Sequence, residues 1–106
     1  MPKYLLKLRL NADGMKGTMA DGGTGRRAAL QQAMETAGGS LEAFYYAFGE
    51  VDSYVIVDLP SHAHAVASVA QAMTSGAGRV ETVVLLEPEI VDEAAEIQTG
   101  YRPPGG

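Results

Sequence analysis

Cysteine is absent from the 106-residue chain, which removes disulfides, thiolate nucleophiles and cysteine-ligated zinc or iron-sulfur centres from consideration. Basic residues are in deficit: eight Lys and Arg stand against thirteen Asp and Glu, a formal charge of −5. Nonspecific nucleic-acid binding needs a basic footprint, so nucleic acid is not expected as a partner. No run approaches the roughly twenty apolar residues that span a bilayer, and Met1-Pro2-Lys3-Tyr4 enters an alternating segment with no basic-then-apolar leader. The expectation is a cytoplasmic chain without a membrane partner. With 46% hydrophobic and 20% charged residues the composition is that of a globular protein, and this length supports one core. A single domain is expected over residues 1–100, followed by a short tail at 101–106.

Against that background one stretch stands out. Ser40-Leu41-Glu42-Ala43-Phe44-Tyr45-Tyr46-Ala47-Phe48 and Ser53-Tyr54-Val55-Ile56-Val57-Asp58-Leu59 flank Gly49-Glu50-Val51-Asp52 and hold five of the chain's seven aromatic residues. β-Branched and aromatic residues suit a pleated, packed surface, and Gly and Asp punctuate a reversal, so the stretch reads as a β-hairpin. With the four turn residues unpaired, Phe48 faces Ser53, Tyr46 faces Val55, Phe44 faces Val57, Tyr45 faces Ile56 and Ala43 faces Asp58. In this reading Gly49 supplies a positive φ and Asp52 a local side-chain to backbone hydrogen bond.

Lys3–Leu10 alternates, with Tyr4, Leu6, Leu8 and Leu10 on one face and Leu5, Lys7 and Arg9 on the other. Asp13 is the expected N-cap of a short helix through Met19, and Gly22-Gly23-Thr24-Gly25 the expected break before a second helix that buries Ala29, Leu30, Ala33, Met34 and Ala37. Ser61 caps a helix expected to turn Val66, Val69, Ala70 and Met73 inward. Arg79–Leu86 is the fourth strand, and Glu89–Ile97 a short acidic helix behind Pro88. The order β-α-β-β-α-β is that of a ferredoxin-like split βαβ unit, an α+β fold. Right-handed crossovers place both main helices on one face of a four-stranded antiparallel sheet of order 4-1-3-2.

The opposite face is then left open, bearing Leu5, Lys7, Arg9, Tyr45, Tyr54, Ile56, Asp58, Val83 and Leu85. So apolar a patch is rarely left in water, and a second copy packed sheet to sheet covers it. The expected partner is therefore the chain itself. Lys7, Arg9, Tyr45, Tyr54 and Asp58 converge on this face, as a polar network between subunits or as the polar groups of a pocket for a small molecule. Asp52 at its mouth is the corresponding proton acceptor or ligand anchor.

The residues Leu41–Asp52 with Val55–Pro60, and Tyr101-Arg102-Pro103-Pro104-Gly105, resemble the GYD domain family of small bacterial proteins. In the namesake motif Gly49 and Asp52 carry over and Val51 stands where the family's tyrosine is expected. The resemblance implies a ferredoxin-like subunit assembling as a dimeric α+β barrel or a larger ring, and no settled activity. Similar barrels bind small effectors, degrade haem or oxidise aromatic compounds, a fold-level analogy. The function expected is a non-enzymatic small-molecule-binding or assembly domain acting as a homo-oligomer. The alternative is a cofactor-independent monooxygenase or haem-dependent enzyme using Tyr54, Asp58 or Asp52 as acid-base groups.

No cofactor or metal is expected. His62 and His64 are two apart on a helix and cannot ligate one metal together from it. Gly22–Arg27 resembles an anion cradle but lacks the phosphate-loop lysine and follows a helix rather than a strand.

Overall fold

A computed structural model describes all 106 residues. Eight elements follow one another: β1 Lys3–Leu10, α1 Ala12–Asp21, α2 Gly23–Thr36, β2 Ser40–Tyr46, β3 Ser53–Asp58, α3 His62–Thr74, β4 Gly78–Leu85 and α4 Pro88–Ala95. The strands form one antiparallel sheet ordered β2-β3-β1-β4, the ferredoxin-like arrangement that the element order predicts. The core lies between the sheet and the helices on one face. Tyr4, Leu6, Val55 and Val57 point into it from the strands, Met34 and Ala65 from α2 and α3, and Leu59 from the end of β3. Burying each large apolar side chain contributes about 1.5–3 kcal/mol.

The helices meet the sheet through fewer residues than their apolar patterns suggest. In α2 only Met34 is buried, with Leu30 and Ala37 packed beside it, while Ala29 and Ala33 face solvent. In α3 the contact stripe is His62, Ala65 and Val69. Val66, Ala70 and Met73, expected inward, are exposed. The cause is Tyr4, whose hydroxyl lies 2.6 Å from His62 Nδ1 with the two rings edge to face. A buried tyrosine needs a partner for its hydroxyl, and meeting it turns α3 until the small Ala65 side chain sits over the sheet.

The hairpin register differs from the expected one by two residues. Tyr46 pairs with Ser53, Tyr45 with Tyr54, Phe44 with Val55 and Ala43 with Ile56, and a bulge at Glu42 resets the remainder so that Leu41 meets Val57 and Ser40 meets Asp58. A shift of two preserves which face each residue occupies. The connecting loop is accordingly Ala47–Asp52, six residues, because Asp52 is committed to β1: its N–H donates to the Leu8 carbonyl at 2.9 Å and its Oδ2 accepts from the Leu10 N–H at 2.7 Å. Gly49 does not have a positive φ, so the turn does not depend on it in the way expected, and Val51 is buried rather than a bare turn residue.

Asn11, not Asp13, caps α1, accepting from the Gly14 N–H at 2.9 Å while its amide donates to the Gly76 carbonyl at 2.6 Å. The break between α1 and α2 falls at Gly22, where φ is +80°, a conformation open to glycine and costly to other residues. Gly14 is needed for a close approach, since a Cβ there would lie 2.0 Å from the Ala77 carbonyl oxygen.

The last element departs from the body. Every residue from Leu86 to Gly106 is exposed, and no residue of α4 is buried. The radius of gyration is 17.1 Å and the longest extent 57 Å, against roughly 13 Å for the radius of gyration of a compact domain of about a hundred residues. None of the helices is long and apolar enough to cross a membrane.

Candidate functional site

The bare face of the sheet is a grid fixed by the strand register. One row reads Ser40, Asp58, Lys3, Leu85; the next Ala43, Ile56, Leu5, Val83; the third Tyr45, Tyr54, Lys7, Glu81; and beyond it Arg9 lies opposite Arg79. The middle of this face is apolar, and its two ends carry charge.

The expected site residues divide among these rows. Tyr45, Tyr54 and Lys7 are brought side by side, with Tyr45 71% and Tyr54 39% exposed and the Lys7 ammonium 4.0 Å from the Glu81 carboxylate. Asp58 does not join them. It accepts from Lys3 at 3.0 and 3.2 Å, two rows away, and Lys3 also meets Glu42 at 3.0 Å. Both carboxylates raise the Lys3 pKa above the ordinary lysine value, Asp58 by hydrogen bonding first and Glu42 next. Arg9 lies at the other end and pairs with Glu50 of the hairpin loop at 2.9 Å.

Lys3 and Glu42 were not legible as site residues. The bulge turns Glu42 onto the same face as its neighbour Ala43, which strict alternation forbids. Arg79 stands near the start of β4, and its place opposite Arg9 follows from the pairing of β4 with β1.

Asp52 lies off the bare face, on the wall of a separate cleft of about 480 Å³ on the helix side of the sheet. The cleft is bounded by α1 through Met15, Thr18 and Met19, by the kink at Gly22 and Gly23, and by Tyr46, Ala47 and Phe48 of the hairpin. Each wall has a local cause. The Gly22 kink swings α2 away from the line of α1, and Gly23 leaves room for the Tyr46 ring, whose Cε2 would stand 3.1 Å from a Cβ at that position. The Tyr46 hydroxyl donates to the Gly23 carbonyl at 3.4 Å, joining hairpin to kink. Thr18 turns its hydroxyl onto the Gly14 carbonyl at 2.9 Å, so the polar groups facing the cleft are few. Met19 and Phe48 stand exposed at its edge. Methionines and a solvent-exposed aromatic ring make an adaptable apolar rim. The signal in the sequence is Met15, Met19 and Phe48 near a glycine break, but those residues come together only across about thirty positions of chain.

The remaining motifs make contacts within the chain. His62 supports Tyr4, and His64 Nδ1 lies 2.7 Å from the Ser61 hydroxyl at the helix start; both histidines are otherwise exposed. In the glycine-rich break Arg26 pairs with Asp21 at 3.4 Å.

Comparison with curated proteins and with solved structures returned no match. A family model described as GYD domain matches residues 4–95, from β1 through α4, and so takes in the sheet, both faces and the cleft. By that match the chain belongs to the GYD domain family.

Proposed function

We propose that this GYD domain is a subunit of a homo-oligomer that binds a small molecule without transforming it. The cleft beside Asp52 is the observation that carries the reading. Its volume of about 480 Å³ lies within the roughly 300–1,000 Å³ of small-molecule sites, and its walls are largely apolar with a single carboxylate. The ligand this suits is a compact apolar or aromatic molecule with one hydrogen-bond donor directed at Asp52. The bare face supports the oligomer: Leu5, Ile56, Val83 and Leu85 form an apolar centre flanked by Tyr45 and Tyr54, which a second copy of the same face would cover. Under this reading Lys7, Tyr45, Tyr54, Arg9 and Asp58 serve the contact between subunits, and Asp52 serves the ligand.

The test is binding of Nile red, an uncharged apolar fluorescent probe, to the wild type and to two variants. Met19→Trp narrows the mouth of the cleft and is expected to reduce the fluorescence gain. Tyr45→Ala, on the opposite face, is expected to leave it in place. A wild type that gives no gain, or a Met19→Trp protein that matches it, overturns the reading. Native mass spectrometry of the untreated protein reports subunit number and any retained molecule in one measurement.

A further inference from the structure

The charge of this chain is unevenly placed. Residues 87–106 hold five of its thirteen carboxylates, Glu87, Glu89, Asp92, Glu93 and Glu96, and one of its eight basic residues, Arg102. The body is close to balanced, and the projecting arm is strongly acidic. Within α4 the acidic residues occupy one side, while Ile90, Val91, Ala94 and, beyond its end, Ile97 occupy the other, at the spacing of a single helical face. An eight-residue helix is too short to be stable in water alone, and this one finds no packing on its own body.

A complementary surface lies at one end of the bare face. Arg9 and Arg79 are directly opposed across the β1–β4 ladder, and Glu50 pairs with Arg9 alone, so the like charge of Arg79 beside it is left uncompensated. Together with Lys7, Val80 and Glu81 they line a cleft of about 380 Å³; Lys7 lies 4.0 Å from Glu81 and Arg9 pairs with Glu50, whereas Arg79 has no ion-pair partner within its own chain. The arm leaves the sheet at the other end, where Leu85 stands beside Lys3, roughly 20 Å from Arg9 along the strand. No residue of the arm is buried, so it is not packed on its own sheet. Its carboxylates make no ion pair with Arg9 or Arg79 of their own chain, which leaves them free for those of another molecule. Two sheets stacked face to face about a two-fold axis perpendicular to the strands bring the Lys3 end of each against the Arg9 end of the other.

We infer that the acidic C-terminal arm of one copy docks on the Lys7–Arg9–Arg79 end of a second copy, and that this exchange fixes the direction of the two-fold axis. The inference rests on the homo-oligomer reading and adds to it a partner surface and an orientation. Carboxylates of α4 supply the anion that Arg79 lacks within its own chain, with the helix lying at the rim of the two stacked sheets.

Charge exchange between two chains tests it. In one chain the surface is reversed (Arg9→Glu with Arg79→Glu); in the other the arm is reversed (Glu89→Lys, Asp92→Lys and Glu93→Lys). Each alone is expected to dissociate roughly tenfold more readily than the wild type in sedimentation equilibrium. Mixed, they are expected to give predominantly the heterodimer in native mass spectrometry, since both arm contacts are then restored. A third chain ending after Glu87 keeps the whole packed body, so its helical and sheet circular dichroism tests folding apart from assembly. The preference for the heterodimer should fade as salt rises from about 0.01 M to about 1 M, where the screening length falls to roughly 3 Å. A statistical mixture of dimers, or an arm-deleted chain that dimerises as tightly as the wild type, overturns arm exchange while leaving the oligomer reading intact. A wild type that is monomeric in both measurements overturns the two together.

Discussion

Tyr4 and Leu5 are neighbours on β1, yet they belong to different environments. Tyr4 is 1% exposed under α3, and Leu5 is half-buried on the other side of the same strand with only its sheet neighbours for cover. The contrast repeats across the sheet, with Val55 and Val57 buried beside the more exposed Tyr54 and Ile56. A sheet with one solvated face normally alternates apolar with polar residues, and here the alternation is weak: Leu5, Ile56, Val83 and Leu85 are as apolar as the residues they back onto. The two faces differ in cover far more than in composition. On the covered face β1 and β3 are satisfied within the chain while Val84 of β4 stays 50% exposed, and the bare face has the composition of a surface satisfied between chains.

That comparison can be broken from either side. The largest effect is expected for Leu59→Ala on the covered side, where removing a side chain 1% exposed should cost about 2–5 kcal/mol in urea unfolding. Ile56→Asp attacks the bare side. It should leave the fold of the isolated subunit in place but weaken assembly by about 3 kcal/mol, more than a hundredfold in the dissociation constant by analytical ultracentrifugation. Equal unfolding effects from the two substitutions would erase the distinction between the faces. Asp52→Ala removes the acceptor of the Leu10 N–H and should cost about 1–3 kcal/mol, whereas Asp52→Asn, which keeps an oxygen there, should retain much of that stability in thermal melts.

The smallest effect belongs to the charged end of the bare face. The Lys3 pKa is raised by Asp58 and Glu42, so its contribution is fully present below the ordinary lysine value and is lost as pH rises through the raised one. Melting temperatures of wild type and Lys3→Met should therefore differ slightly at neutral pH and converge in strongly alkaline solution. The difference at neutral pH should be worth no more than about 1 kcal/mol, because these side chains remain partly exposed.

How much of this was legible without coordinates depends on the range of the interaction. Strand periodicity in Lys3–Leu10 and the glycine break at Gly22 are local signals, and both elements lie where they were expected. The hairpin register was misread because nothing local to Gly49–Asp52 reveals that Asp52 bonds to Leu8 and Leu10, more than forty residues away. The rotation of α3 was misread for the same kind of reason, since Val66 and Met73 are better hydrophobes than Ala65, and only the Tyr4 hydroxyl turns the helix toward His62. Of the expected site residues, Lys7, Tyr45 and Tyr54 meet in one row, whereas Asp58 is held by Lys3 and Asp52 faces a cleft on the other side of the sheet.

By itself the sequence determined the kinds and order of the elements, the strand order and which side chains of β1 and β3 share a face, because these follow from periodicities of two and 3.6 residues and from the handedness of crossovers. Only the tertiary structure decided the register, the cleft beside Asp52, the opposition of Arg9 and Arg79, and the isolation of α4. Each of those depends on where distant segments come to rest against one another, and contact between residues forty or seventy positions apart leaves no periodic trace in the chain.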